Sequence, residues 1–304
     1  DPAVDADDPA FWADPRDPSR AVLFGTDKSD GLYVHDLDGK VRQFLAAGPL
    51  NNVDLRDGFM VGGKEQVLVA ATERSKFGIA LFLFDPDSYE TKPYGFIATG
   101  ADFGEPYGFC MGRQGDRFLL IANNKLGEVR VYGLNGGGEA ASAVLGSSFK
   151  VATQPEGCVV DDKTGKLYVG EEDVGIWRFD LAPGANSTPF KVAAVDGQRL
   201  TADVEGLSIM RDRGTDYLIA SSQGDATYPL WRIEGDSYTY VGRFAVDGGP
   251  IDAVTGTDGL DAWSGPIGPF PEGAIAMHDT DDGNGQQNFK MVDWREVRRA
   301  LSLP

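Results

Sequence analysis

The chain of 304 residues carries 47 Asp and Glu against 28 Lys and Arg, a formal net charge of −19, with only two histidines and two cysteines. That balance repels phosphodiester backbones and excludes ordinary nucleic-acid binding. Two cysteines are too few for a disulfide scaffold or a zinc cluster, and no apolar run approaches the roughly 20 residues that span a membrane. Its 40 glycines and 41% hydrophobic content describe a turn-rich globular chain. It begins at Asp1 with neither Met nor a signal-peptide pattern, so the form expected is a mature or trimmed monomer, secreted or periplasmic. Two readings of the acidity compete: a solvated surface that keeps the protein soluble, or carboxylates that bind divalent cations.

The elements recur in pairs along the chain. "AVLFGTD" precedes "GLYVHDLDG" at Gly31, "EQVLVAAT" precedes "GIALFLFDPD" at Gly78, "FLLIANN" precedes "GEVRVYGLNG" at Gly127, and "KLYVGEE" precedes "GIWRFDLAPG" at Gly175. The four glycines are spaced by 47, 49 and 48 residues. Looser copies follow, "DYLIASSQGD" before "YPLWRIEGD" and "GAIAMHD" before "NFKMVDW". Six β-rich units of about 48 residues with almost no helix predict an all-β, six-bladed β-propeller with four-stranded antiparallel blades, a single domain over residues 1–304. A β-sandwich would show no fixed period. "DWREVRRAL" predicts one terminal helix, with Asp293 as its cap and Glu296 in its first turn. Residues 1–8 are too polar to supply an apolar closing strand. Cys110 and Cys158 fall at similar places in neighbouring repeats; two small buried thiols are expected, with a bridge between adjacent strands as the alternative.

Polar clusters end the strand before each signature glycine: Thr26–Lys28, Thr72–Arg74, Asn124–Lys125, Glu171–Asp173, Ser222–Asp225 and His278–Asp279. A second set opens each blade, at Asp7–Pro9, Asn51–Asp54, Glu105–Tyr107, Gln154–Glu156, Asp203–Glu205 and Asp252–Asp258. Equivalent positions in radial repeats lie at equivalent heights, so these groups converge on one channel mouth, with Lys28, Arg74 and Lys125 on one side and carboxylates on the other. Turn chemistry accounts for Asp38, Asp161, Asp162 and Asp236. It does not account for Glu156, Glu172 and Glu205, because Glu is not a turn former. All-oxygen ligands suit calcium over zinc or copper, with magnesium and manganese left open. No G-x-S-x-G elbow and no P-loop is present, and His35, inside a strand, reads as structural. Cations facing Lys and Arg suit a polyanion such as a phosphate ester, with Arg74 as a fork and the lysines as point charges. Bound metals would lower the pKa of a water and stabilise charge on the phosphoryl group, so hydrolysis needs no protein nucleophile.

The motifs "DDPAFW" (Asp7–Trp12), "LNNVDLR" (Leu50–Arg56), "YGF" (Tyr107–Phe109), "QPEGCVVDD", "LYVGEEDVGIW", "DVEGL" (Asp203–Leu207), "SSQGD" and "QNFKMVDW" resemble, in order and through every blade, the β-propeller (alkaline) phytases. The resemblance implies a calcium-dependent phosphoric monoester hydrolase of the 3-phytase type. Its substrate would be calcium-complexed myo-inositol hexakisphosphate, with lower inositol phosphates as products and a cleavage subsite beside an affinity subsite. It implies a calcium cluster at Asp8, Tyr107, Glu156, Glu172, Asp203, Glu205, Asp252 and Asp258, with Asp7 close by. Phosphates would be held by Lys28, Arg74, Tyr107 and Lys125, with Gln223 at a further position. Structural calcium would involve Asp7, the carbonyls of Pro9 and Val53, Asp279 and Asp281. The catalytic set it implies is Lys28, Arg74, Tyr107, Glu156, Glu172 and Asp258. The chain departs from the pattern at Ser29, where a second Lys is usual, at Leu126, where an acidic residue is usual, and around Asp279–Asp281. Two other readings remain at this stage: a calcium-dependent propeller hydrolase acting on lactones or other esters, and a non-catalytic propeller that binds a partner or an anionic ligand.

Overall fold

The computed structural model describes residues 5–138, 140–182, 188–249, 251–281 and 286–304. Blade 1 contains β1 (Ala6–Asp14), β2 (Asp17–Asp27), β3 (Gly31–Asp36) and β4 (Val41–Ala46); blade 2 contains β5 (Leu50–Val61), β6 (Lys64–Glu73), β7 (Gly78–Asp85) and β8 (Glu90–Ala98). Blade 3 follows with β9 (Pro106–Gln114), β10 (Arg117–Asn124), β11 (Glu128–Asn135) and β12 (Ser142–Lys150), and blade 4 with β13 (Pro155–Asp161), β14 (Lys166–Glu171), β15 (Gly175–Asp180) and β16 (Phe190–Ala194). Blade 5 is β17 (Val204–Asp212), β18 (Thr215–Ser222), β19 (Tyr228–Glu234) and β20 (Ser237–Phe244). Blade 6 is β21 (Leu260–Ser264), β22 (Gly273–Asp279) and β23 (Asn288–Asp293), followed by α1 (Trp294–Ala300). Every pairing between neighbouring strands is antiparallel, and the whole is the predicted six-bladed propeller. Five blades have the expected four strands; the sixth shows three among the described residues.

The signature glycines have a steric cause. A Cβ on Gly31 would collide with the Leu45 carbonyl oxygen, and one on Gly175 with that of Ala193, because the outermost strand crosses directly over the start of the third. The terminal helix forms as its sequence predicts: Asp293 accepts the Arg295 N–H at 2.8 Å, and Glu296 lies in the first turn, where the helix dipole favours a negative charge.

Six apolar clusters fill the six interfaces between neighbouring blades. Trp12, Phe24 and Phe84 pack between blades 1 and 2, with Trp12 meeting Phe84 edge-on at 4.8 Å. Trp294 of the helix is buried between blades 5 and 6. Phe11 and Leu23 of blade 1 pack with Ile267 and Ala274 of blade 6, so the ring is closed by side-chain packing at this interface. Truncating such a buried aromatic to Ala costs about 3–5 kcal/mol.

Polar staples reinforce the packing along the channel. Asp8 accepts the Val53 N–H at 2.9 Å, Asp54 the Met111 N–H at 2.8 Å, and Asp261 the Phe11 N–H at 2.9 Å. Each ties one innermost strand to the next blade. Contrary to the expectation of two buried thiols, Cys110 on β9 and Cys158 on β13 form a disulfide, with Cα atoms 5.6 Å apart and 48 residues between them in sequence. That separation is one blade repeat, so the two residues occupy the same rung of adjacent innermost strands.

Candidate active site at the channel mouth

A run of X-Gly pairs brings the innermost strands together at one end of the channel. A Cβ on Gly108 would strike the Glu156 carbonyl oxygen, one on Gly157 the Glu205 carbonyl, one on Gly206 the Gly259 and Leu260 backbone, and one on Gly259 would strike Asp8. Only glycine tolerates backbones this close. The residue before each glycine (Tyr107, Glu156, Glu205 and Asp258) is thereby carried to the mouth. This signal is visible in the sequence as Tyr107-Gly108, Glu156-Gly157, Glu205-Gly206 and Asp258-Gly259, a dipeptide register that composition-based reading of the polar clusters passes over.

One oxygen from each of Glu156, Glu172 and Glu205 lies within 4.8 Å of the others. Glu156 and Glu205 are buried, and Glu205 Oε2 has no hydrogen-bond partner among the described residues. Asn51 donates to Glu156 Oε1 at 2.8 Å and Gln154 to Glu172 Oε1 at 2.5 Å, so two neutral residues of the converging clusters support the carboxylates. Burial, and then the neighbouring Glu156 and Asp203 charges, push the Glu172 carboxyl up to about 7, against hydrogen bonding from Gln154. Burial and Glu156 raise Glu205 well above the usual carboxylate range, and burial and Asp7 do the same to Asp8. Asp203 is raised by burial and by Asp173 and Glu156. Asp7, fully buried, is pushed up to about 7 by burial and by Glu156 and Asp258, although Lys28 Nζ stands 2.8 Å from its Oδ1. Asp7, Glu172, Asp203 and Glu205 are thus each raised in part by the Glu156 charge, and like charges gathered this closely could hold a cation.

The cations do not form a separate half of the mouth as expected, because Lys28 sits between Asp7 and Asp258. Burial works against the charge on Lys28, but Asp7 and Asp258 outweigh it and hold the ammonium protonated. Lys28 Nζ is 3.2 Å from Asp258 Oδ2, and Gln223 Nε2 donates to Asp258 Oδ1, so Asp258 joins blades 1 and 5 across the mouth. Arg74 spends its Nε on Glu105 Oε1 at 2.8 Å, which leaves its two Nη groups to other partners. The centre of the Tyr107 ring lies 5.7 Å from the Arg74 guanidinium and 4.2 Å from the Lys125 ammonium. Burial, then Glu156 and Glu205, raise the Tyr107 hydroxyl pKa far above the ordinary phenol value.

Asp8, Pro9 and Val53 line the channel itself, a cavity of about 450 Å³; Asp8 Oδ2 accepts the Val53 N–H and its Oδ1 lies against Gly259. Asp252 and Asp279, expected among metal ligands, share the buried ammonium of Lys290: Nζ lies 2.7 Å from Asp252 Oδ2, 2.8 Å from the Ala253 carbonyl, and against Asp279 Oδ2. Asp279 Oδ1 accepts the Thr255 N–H at 2.7 Å, so the fully buried Asp279 carboxylate is already satisfied by protein donors. Lys290 thus places a positive charge against both carboxylates. Asp281 is exposed beyond the end of β22.

A profile of the phytase family matches residues 1–303. The chain is also 38% identical to the 3-phytase of Bacillus subtilis (strain 168) over 312 aligned residues, which cover 97% of this chain and 81% of the relative.

Proposed function

The chain belongs to the phytase family; from that premise we propose that it is a calcium-dependent 3-phytase (EC 3.1.3.8), removing phosphate from myo-inositol hexakisphosphate or its calcium complex to give lower inositol phosphates. The observation that carries the reading is the pairing, at one mouth, of the Glu156–Glu172–Glu205 oxygens within 4.8 Å with the cations Lys28, Arg74 and Lys125. The donor set is all hard oxygen, and the partnerless buried Glu205 Oε2 fits a divalent ion of the calcium type. Glu156, Glu172, Glu205 and Asp203, with Asp7 and Asp258 at the edge, are the residues that would hold calcium; the Tyr107 hydroxyl is its neutral neighbour. Calcium, when bound there, supplies Lewis-acid stabilisation of the phosphoryl charge and a more acidic water.

The chain's own groups bind and orient. Arg74, with Nε fixed by Glu105, presents its remaining N–H groups as a fork to one phosphate, and Lys28 and Lys125 act as point charges. Two phosphates of one substrate can then be engaged, one beside the carboxylates for cleavage and one held for affinity, with Gln223 and Asp258 keeping Lys28 in place. Tyr107 keeps its proton at neutral pH, so it adds no further negative charge. Ser29 and Leu126 leave the affinity side with fewer charges than the family pattern. The test is phosphate release from phytate in the presence of calcium and after EDTA. Release that requires calcium supports the reading, and calcium-replete protein that releases none refutes it.

A further inference from the structure

His278 lies at the mouth end of β22 and is completely buried. Its Nδ1 accepts the Asp258 backbone N–H at 3.1 Å, and its Nε2 faces Gln287 Oε1 at 3.4 Å. An amide N–H can donate only to a ring nitrogen without a proton, so the imidazole proton sits on Nε2, toward the Gln287 oxygen. The His278 backbone N–H also donates to the Gly259 carbonyl at 2.9 Å. Asp258 and Gly259 arrive on the segment that joins blades 5 and 6, outside any strand ladder. They are placed by these two bonds together with Gly206 N–H to Asp258 O at 3.1 Å and Gly259 N–H to Asp7 O at 3.0 Å.

From these contacts we infer that His278 is a positioning residue of the active site: by fixing the Asp258 amide it sets the direction in which Asp258 presents one oxygen to Lys28 and the other to Gln223. The inference rests on reading Asp258, Lys28 and Gln223 as site residues. His278 meets no substrate. It acts through Asp258, and a histidine that merely filled space would be replaceable by any ring of its size.

The experiment compares His278→Phe, which keeps the ring but has no acceptor, with His278→Asn, whose side-chain oxygen takes the Nδ1 place, in otherwise intact protein. Hydrogen exchange at the Asp258 amide reads the contact without reference to catalysis. The amide is expected to exchange at least about tenfold faster in His278→Phe and to stay protected in His278→Asn. In steady-state phytate hydrolysis His278→Phe is expected to lower kcat about tenfold with KM within about threefold, and His278→Asn to restore most of it. Added to Asp258→Asn, His278→Phe should cost nothing further. Should His278→Phe not fold, His278→Leu replaces it in each comparison. Wild-type protection and kcat in the acceptor-less variant, equal damage in both variants, or losses that multiply over Asp258→Asn overturn the inference. An exchange pattern as expected in a protein that cleaves no phytate sinks the phytase reading instead and leaves the His278–Asp258 contact standing.

Discussion

Lys125 Nζ lies 4.2 Å from the centre of the Tyr107 ring, with Arg74 on the same ring at 5.7 Å. One aromatic ring thus contacts two cations that belong to different blades and come from turns 51 residues apart in sequence. The ring quadrupole attracts both charges, and in the proposed reaction they would meet the phosphates of the substrate.

Arg74→Ala is therefore expected to lower kcat/KM on phytate about 100-fold, the scale of losing a charged bidentate contact. Its one ion pair among the described residues, with Glu105, is half-exposed, so stability should change by no more than about 1 kcal/mol. Steady-state kinetics beside a urea melt checks both. A wild-type rate removes Arg74 from the site.

Calcium removal should destabilise the fold as well as stop turnover, because an ion bound only by the folded state stabilises it by mass action. Melting temperatures with calcium and with EDTA should differ, and the gap should shrink when Glu156 and Glu205 are both changed to Gln. Equal melting temperatures with and without the chelator contradict the metal assignment.

The raised carboxyls give this gap a pH dependence. Asp7 and Glu172 have folded-state values near 7 against 3.8 and 4.5 in the unfolded chain. Between those values the folded state holds more protons than the unfolded one, so the stability of calcium-free protein falls as pH rises from about 4 to about 7 and then levels. Calcium bound as proposed would take the place of those protons, and its stabilising effect should therefore be larger at pH 7.5 than at pH 5. A thermal-melt series over that range, with and without calcium, reads the trend; a calcium effect independent of pH would exclude these two groups from the site.

Reducing the Cys110–Cys158 bridge, or replacing both cysteines with Ser, opens a loop of 48 residues. Chain entropy predicts a loss of about 4 kcal/mol. Denaturant melts under oxidising and reducing conditions measure it, and the double variant should be insensitive to reductant.

Lys290→Met leaves the buried Asp279 carboxylate without its cation and is expected to cost about 3–5 kcal/mol. If Lys290, and not calcium, neutralises this cluster, Asp252→Asn leaves the number of calcium ions bound per chain unchanged by titration calorimetry. One ion fewer would return Asp252 to the metal ligands.

Much of this protein could be read from its residues in order. The spacing of Gly31, Gly78, Gly127 and Gly175 determined the propeller, because a blade that cannot bury its faces alone must repeat, and each repeat needs a residue without a side chain where its outer strand crosses. The convergence of Glu156, Glu172 and Glu205 followed from the same period, since equal spacing around an axis means equal height. What only the tertiary structure decided are the contacts across the ring. That Cys110 and Cys158 bond, that Lys290 fills the place between Asp252 and Asp279, and that His278 holds the Asp258 amide depend on side-chain directions and on a few ångströms of approach between distant segments, which periodicity along a chain does not encode.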